Sequence, residues 1–129
     1  MILHIVLPED WAAALQTGRY TTSTRGAGIA QVGFLHASED AGQVGMVGGF
    51  VYADRPDAFV VEMEETALAD VGMDVRREPG DPEDPDSPLF PHVYLPERAE
   101  DAVPVELMRP ATHLGTGEPL TWREYAARA

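Results

Sequence analysis

The chain contains no cysteine and no lysine. The first absence removes disulfides, thiolate nucleophiles, cysteine-ligated zinc and iron–sulfur clusters in one step. The second leaves arginine as the only strong cation: 9 arginines stand against 22 acidic residues, a formal net charge of −13. Tracking a nucleic-acid backbone or an anionic membrane requires clustered positive charge, so no such partner is expected. Long apolar runs are also missing, which excludes a membrane-spanning helix. The opening residues, MILHIVLPEDW, lack a basic leader region and a small-residue cleavage site. Together these absences predict a cytoplasmic protein.

What remains is ordinary globular material. The chain has 129 residues, of which 44% are hydrophobic and 8% aromatic. That length suits one domain that buries roughly two-thirds of its unfolded surface and needs no covalent staple.

Residues 2–7 are β-rich and stop at Pro8, which predicts a first strand. Asp10 is placed to cap a helix carrying Trp11, Ala14 and Leu15, with Gly18 ending it. Residues 19–30 look like a loop. Residues 31–37 predict a second strand, followed by Ser38 as the N-cap of a helix with Val44, Val47 and Val51 along one stripe. Gly48 and Gly49 imply that this helix is kinked or approaches a neighbour closely. Further strands are expected over 59–64, 73–78, 89–95 and 102–109, with Pro104 marking an edge. Residues 65–71 predict no more than a helical turn. Thr121 caps a last short helix that begins at Trp122. The proline- and acid-rich stretch 79–88 reads as a loop or lid. Strands that do not alternate with long helices argue for α+β with mostly antiparallel sheets rather than a doubly wound fold.

The chemistry-bearing residues are four histidines and one arginine pair. A strand places residues i and i+2 on one face, so Phe34 points with His36, and His92 points with Tyr94. The same alternation sends Arg76 and Arg77 to opposite faces. One can then pair with a surface carboxylate while the other faces a cleft. No histidine pair has the i, i+4 spacing of a helical metal site. No G-x-S-x-G elbow marks a serine hydrolase, and no glycine-rich segment carries a phosphate-loop fingerprint.

Five blocks in order resemble the DUF952 family of small bacterial proteins: Leu3-His4-Ile5-Val6, Asp10-Trp11, Gly33-Phe34-Leu35-His36-Ala37-Ser38, Val75-Arg76-Arg77-Glu78 and Phe90-Pro91-His92-Val93-Tyr94. The resemblance assigns residues 1–110 to that domain and leaves 111–129 as an extension packed on it. It implies an ADP-ribosyltransferase-like arrangement of two split antiparallel sheets flanking a cleft for NAD or a related nucleotide. In that setting His4, Ser38, Arg76 and Tyr94 would hold the cofactor, and Glu78, His36 and His92 would do the chemistry. Arg77 stands where the family pattern has tryptophan.

Two other functions fit the same residues. A small-molecule enzyme without NAD would use His36, His92 and Tyr94 for acid–base work. A non-catalytic module would present the acidic loop and an exposed Trp122 helix to a protein partner.

Overall fold

The computed structural model describes residues 1–128. The chain opens with β1 (Ile2–Val6), whose five residues are all buried, four of them apolar and the fifth His4. Pro8 then starts α1 (Pro8–Thr17). Its fixed φ and missing N–H suit the first helical turn, so this helix begins two residues ahead of the expected Asp10 cap. Gly18 ends it in the left-handed region, at φ 77°.

The segment expected to be a loop is instead built from short pieces. These are β2 (Arg19–Tyr20), β3 (Thr22–Thr24), β4 (Ala27–Gly28) and one helical turn, α2 (Ile29–Val32). The strand expected over 31–37 shrinks to β5 (Leu35–His36), because Ile29 turns inward on that helical turn and is buried in the core. Helix α3 (Ala41–Val51) is capped by Asp40, whose side chain accepts from the Gln43 amide at 2.9 Å. Ser38 is not the cap. It lies in the preceding bridge, where it exchanges two backbone hydrogen bonds with Leu3.

After α3 come β6 (Phe59–Met63), α4 (Glu65–Asp70), β7 (Asp74–Pro79) and β8 (Leu89–Tyr94). The strand expected over 102–109 divides into β9 (Val103–Pro104) and β10 (Arg109–Pro110), separated by a 3-10 turn at Val105–Leu107. The chain closes with α5 (Trp122–Ala126), whose Thr121 and Glu124 form a reciprocal capping box.

Two antiparallel three-stranded sheets organise these elements. One has the order β1-β6-β10 and the other β5-β8-β7. The Leu3–Ser38 bridge ties them together. The whole is a single-domain α+β fold. The first sheet is buried on both faces. Ile2, Val6, Val61 and Met63 enter one apolar cluster with Leu35, Leu68 and Val93. Leu3, Ile5 and Val60 enter a second with Val44, Leu120 and Trp122. Each such side chain contributes roughly 1.5–3 kcal/mol on burial.

Trp122, expected on an exposed helix, is only 6% exposed. It fills the second cluster and donates its indole N–H to the Arg55 carbonyl at 3.1 Å. Gly48 explains how it fits. A Cβ there would lie 2.1 Å from the indole ring, so only glycine admits the tryptophan. Close approach, rather than a kink, is the reason for glycine at 48.

Candidate functional site

The register of the second sheet sets the site. In the antiparallel pairing His36 lies opposite His92, and His92 lies opposite Arg76. Paired residues share a face, and so do residues two apart on one strand. Arg76, Glu78, His92, Tyr94 and His36 therefore stand on one face, and Arg77 on the other. Arg77 pairs there with Glu39 and Glu65, which is the structural use open to one member of the pair. Arg76 pairs with Asp74 at 2.7 Å and lies over the Tyr94 ring, 4.1 Å from its centroid.

Glu78 organises this face. One oxygen of its carboxylate receives His92 Nδ1 at 2.9 Å and the Tyr94 hydroxyl at 2.7 Å. Those two bonds hold the carboxyl below its ordinary value, with the tyrosine contributing most. An ionised carboxylate only accepts, so His92 Nδ1 carries the proton and Tyr94 donates. The carboxylate in turn raises the Tyr94 phenol above its ordinary value.

His92 is 4% exposed. With Nδ1 protonated, its Nε2 is a bare lone pair in the neutral ring. That Nε2 is buried and has no hydrogen-bond partner. A buried polar atom left unpaired is costly, so this nitrogen is the position in the fold that asks for a partner from outside the chain. Phe34 fixes the ring, stacking on it at 4.0 Å between centroids with the planes 17° apart. The same phenylalanine meets His36 edge-on at 4.9 Å and Tyr94 at 5.3 Å. His36 stands edge-on to His92 at 5.1 Å. Burial, reinforced by the neighbouring His92, lowers its pKa to about 4 and keeps it neutral at physiological pH.

The two imidazoles open into a cavity of about 570 Å³, of the size that takes a small organic ligand. His4, His36, Ser38 and His92 form its polar wall. Met46, Val47, Phe50 and Val51 of α3 form its apolar wall, and Gly80, Asp81, Ser87 and Pro88 of the 79–88 loop form its rim. That loop is the proline- and acid-rich stretch read from the sequence as a loop or lid, and four of its residues border the cavity. Gly80 tucks beneath Phe90, since a Cβ would lie 2.8 Å from the ring. Gln43 ties the loop's end to α3 through the Leu89 carbonyl at 2.8 Å.

His4 occupies a special place in this wall. Its Nδ1 donates to the His36 carbonyl at 2.5 Å, and its Nε2 accepts from the Tyr20 hydroxyl at 2.8 Å. Full burial lowers its pKa to about 4, partly offset by the bond to the His36 carbonyl. Both ring nitrogens are thus spent inside the protein, Nδ1 pinning the backbone of His36 and Nε2 holding the Tyr20 hydroxyl. Of the other residues named from the sequence, Ser38 is on the cavity wall, and Glu78 and Tyr94 stand directly behind His92. Arg76 lies on the same sheet face but is exposed and does not line the cavity.

Sequence reasoning assigned no role to Phe34 or to the α3 wall. Phe34 was readable as the neighbour of His36 by alternation. Its stacking on His92 depends on the β5–β8 pairing, which no local pattern encodes.

A family model described as a protein of unknown function, DUF952, matches residues 5–105. The chain belongs to the DUF952 family. Its blocks from His36 to Tyr94 thus stand inside the shared domain, and Trp122 outside the matched residues. No protein with a curated description matches this DUF952 chain. Among solved structures it is similar to protein CC0527 from Caulobacter crescentus, determined by X-ray crystallography as a structural genomics target. The two are 20% identical, the match covers 98% of this chain and 97% of that one, and the TM-score is 0.63. This likeness in fold reaches beyond the family match into the C-terminal segment.

Proposed function

We propose that the cavity is the active site of a small-molecule enzyme that works by general acid–base catalysis, with His92 as the proton acceptor. The observation that carries this reading is the buried, unpartnered Nε2 of His92, on a ring whose other nitrogen is held by Glu78. A lone pair fixed in this way removes a proton from a bound hydroxyl, amine or water. The imidazolium that results is stabilised by the Glu78 carboxylate, itself positioned by Tyr94. His36, neutral and 5.1 Å away between ring centroids, adds a second imidazole through which the proton can leave. The apolar α3 wall provides binding area and excludes water from the reacting centre.

An ADP-ribosyltransferase-like reading, with NAD or a related nucleotide in the cleft, draws support from the two antiparallel sheets meeting at the Leu3–Ser38 bridge. A pyrophosphate, however, calls for cationic side chains. Among the described residues no arginine lines this cavity, and the ring nitrogens of His4 are already engaged. The acid–base reading therefore uses more of what the site contains.

The test is imidazole ¹⁵N NMR of the labelled protein against a panel of uncharged, cationic and anionic aromatic fragments together with NAD, ADP-ribose and nicotinamide. A fragment that moves the His92 Nε2 resonance, with His92→Ala abolishing its binding while the fold is retained, supports the acid–base site. Movement by NAD or ADP-ribose alone favours the nucleotide reading. If no member of the panel moves either His36 or His92, the cavity is not a small-molecule site.

A further inference from the structure

We infer that the ligand of this cavity is an organic cation: an amine on an apolar, ring-sized body whose N–H donates to His92 Nε2. The inference rests on the reading of the cavity as a small-molecule site and adds the charge of what enters it.

Three independent features of the wall agree. Among the described residues, Asp81 is the only acidic side chain that lines the cavity, and no arginine lines it. Its loop also carries Glu83, Asp84 and Asp86, so the field at the mouth is negative. A cation entering there is attracted, whereas a phosphate or carboxylate ligand is repelled.

The second feature is aromatic. Phe50 lines the cavity yet is 89% exposed, an unusual state for a phenylalanine in a chain that buries Phe59 and Trp122. Phe90 lines the same cavity from β8, with Gly80 seated against its ring. Aromatic faces beside a carboxylate are the combination that recognises ammonium groups, through the ring quadrupole and direct charge attraction.

The third feature is an unmet demand on His92, a residue that lines the cavity. His92 Nε2 is an acceptor without a donor. A carboxylate or ether ligand has no proton to offer it. An alcohol offers one, and an ammonium offers up to three together with a charge. Besides His92 and Asp81, the titratable groups facing the cavity are His4 and His36, which burial keeps neutral, and Tyr52, whose phenol burial raises above its ordinary value, so none of the three opposes a cation.

The experiment compares three ligands of matched shape, 2-phenylethylamine, 2-phenylethanol and phenylacetate, at neutral pH. Each is titrated by NMR into the wild-type protein and into Asp81→Asn, which keeps an oxygen for the Glu83 amide that Asp81 caps at 2.9 Å. The expected order is amine, then alcohol, then carboxylate, with the amine at least about fivefold tighter than the alcohol. In Asp81→Asn the amine is expected to lose about threefold to fivefold while the alcohol is unchanged, the size of one partly screened charge contact. The amine's advantage should also shrink as salt rises. Alcohol or carboxylate binding as tightly as the amine overturns the cation inference and leaves the cavity reading standing. An amine affinity untouched by Asp81→Asn also overturns it. Failure of all three to bind overturns both.

Discussion

The Glu78 carboxylate accepts a hydrogen bond from His92 Nδ1 across 2.9 Å, and so turns the opposite ring nitrogen into a buried acceptor. Glu78→Gln tests that relationship directly. The amide carries no charge and can present either N–H or oxygen to Nδ1, so the tautomer is no longer fixed. The imidazolium formed on proton transfer also loses its carboxylate. We expect the Nδ1-protonated tautomer of His92 to give way to a mixture in imidazole ¹⁵N spectra, with the fold unchanged. With a substrate in hand, turnover should fall about 10²–10⁴-fold, the range for losing an effective acid–base group. An unchanged tautomer in Glu78→Gln would show that the carboxylate does not set the ring.

Phe34 supplies the other restraint on that ring. Phe34→Leu keeps an apolar side chain but removes the stack at 4.0 Å. The expected cost in stability is about 0.5–1.5 kcal/mol beyond the lost area. The more telling effect is on ligand affinity, which should weaken because His92 and His36 lose the surface that both rings pack against. Retained affinity with lowered stability would reduce Phe34 to a core residue.

Alternation along three segments, those of β5, β8 and β7, was sufficient to place Phe34 with His36, His92 with Tyr94, and Arg76 opposite Arg77. Those relations depend only on the period-2 geometry of a strand, and each strand carries its own pattern. The approach of Gly48 was also legible as one of two options, because a glycine pair in an apolar helix has few explanations. What escaped were relations between elements. The Trp122 indole meets Gly48 across 74 positions of sequence, so its burial could not be inferred from a short terminal helix. The stripe Val44, Val47 and Val51 has core spacing, yet only Val44 is fully buried while Val47 and Val51 turn to the cavity. Asp40 displaced Ser38 as the cap because Ser38 is held in the bridge to Leu3, a contact set by tertiary structure.

The two adjacent glycines of α3 provide a paired test of the packing argument. Gly48→Ala drives a methyl into the Trp122 ring, where a Cβ would lie at 2.1 Å. Overpacking of this kind costs about 1–3 kcal/mol and lowers Tm by several degrees in a domain of this size. Gly49→Ala points into open space, with nothing within 4 Å. It should stabilise the helix by about 0.4–1 kcal/mol through reduced freedom of the unfolded chain. Urea denaturation of both variants reads the difference. Equal effects at the two positions would contradict the close approach of Trp122.

Buried His4 predicts how stability depends on pH. Burial lowers its pKa in the folded protein to about 4, against an ordinary value of 6.5. Above 6.5 the ring is neutral in both states and its contribution is fully present. As the pH falls below 6.5 the unfolded chain takes up a proton that the folded protein refuses, and stability declines until the folded ring also protonates near 4. Between pH 7 and pH 5 the loss from His4 is on the order of 2 kcal/mol. His36, lowered to about 4 by burial and by His92, acts in the same direction, with a smaller share because its ring is only half-buried. Asp54, held at about 2 by Arg25, begins to matter only below its ordinary value of 3.8, outside this window. Urea midpoints at the two pH values measure the decline. NMR of the native protein identifies its source, since the His4 ring should remain neutral down to pH 5. A His4 signal that titrates near 6.5, or a midpoint unchanged between pH 7 and pH 5, would mean that the His36–His4–Tyr20 chain of hydrogen bonds is open to water rather than sealed in the core.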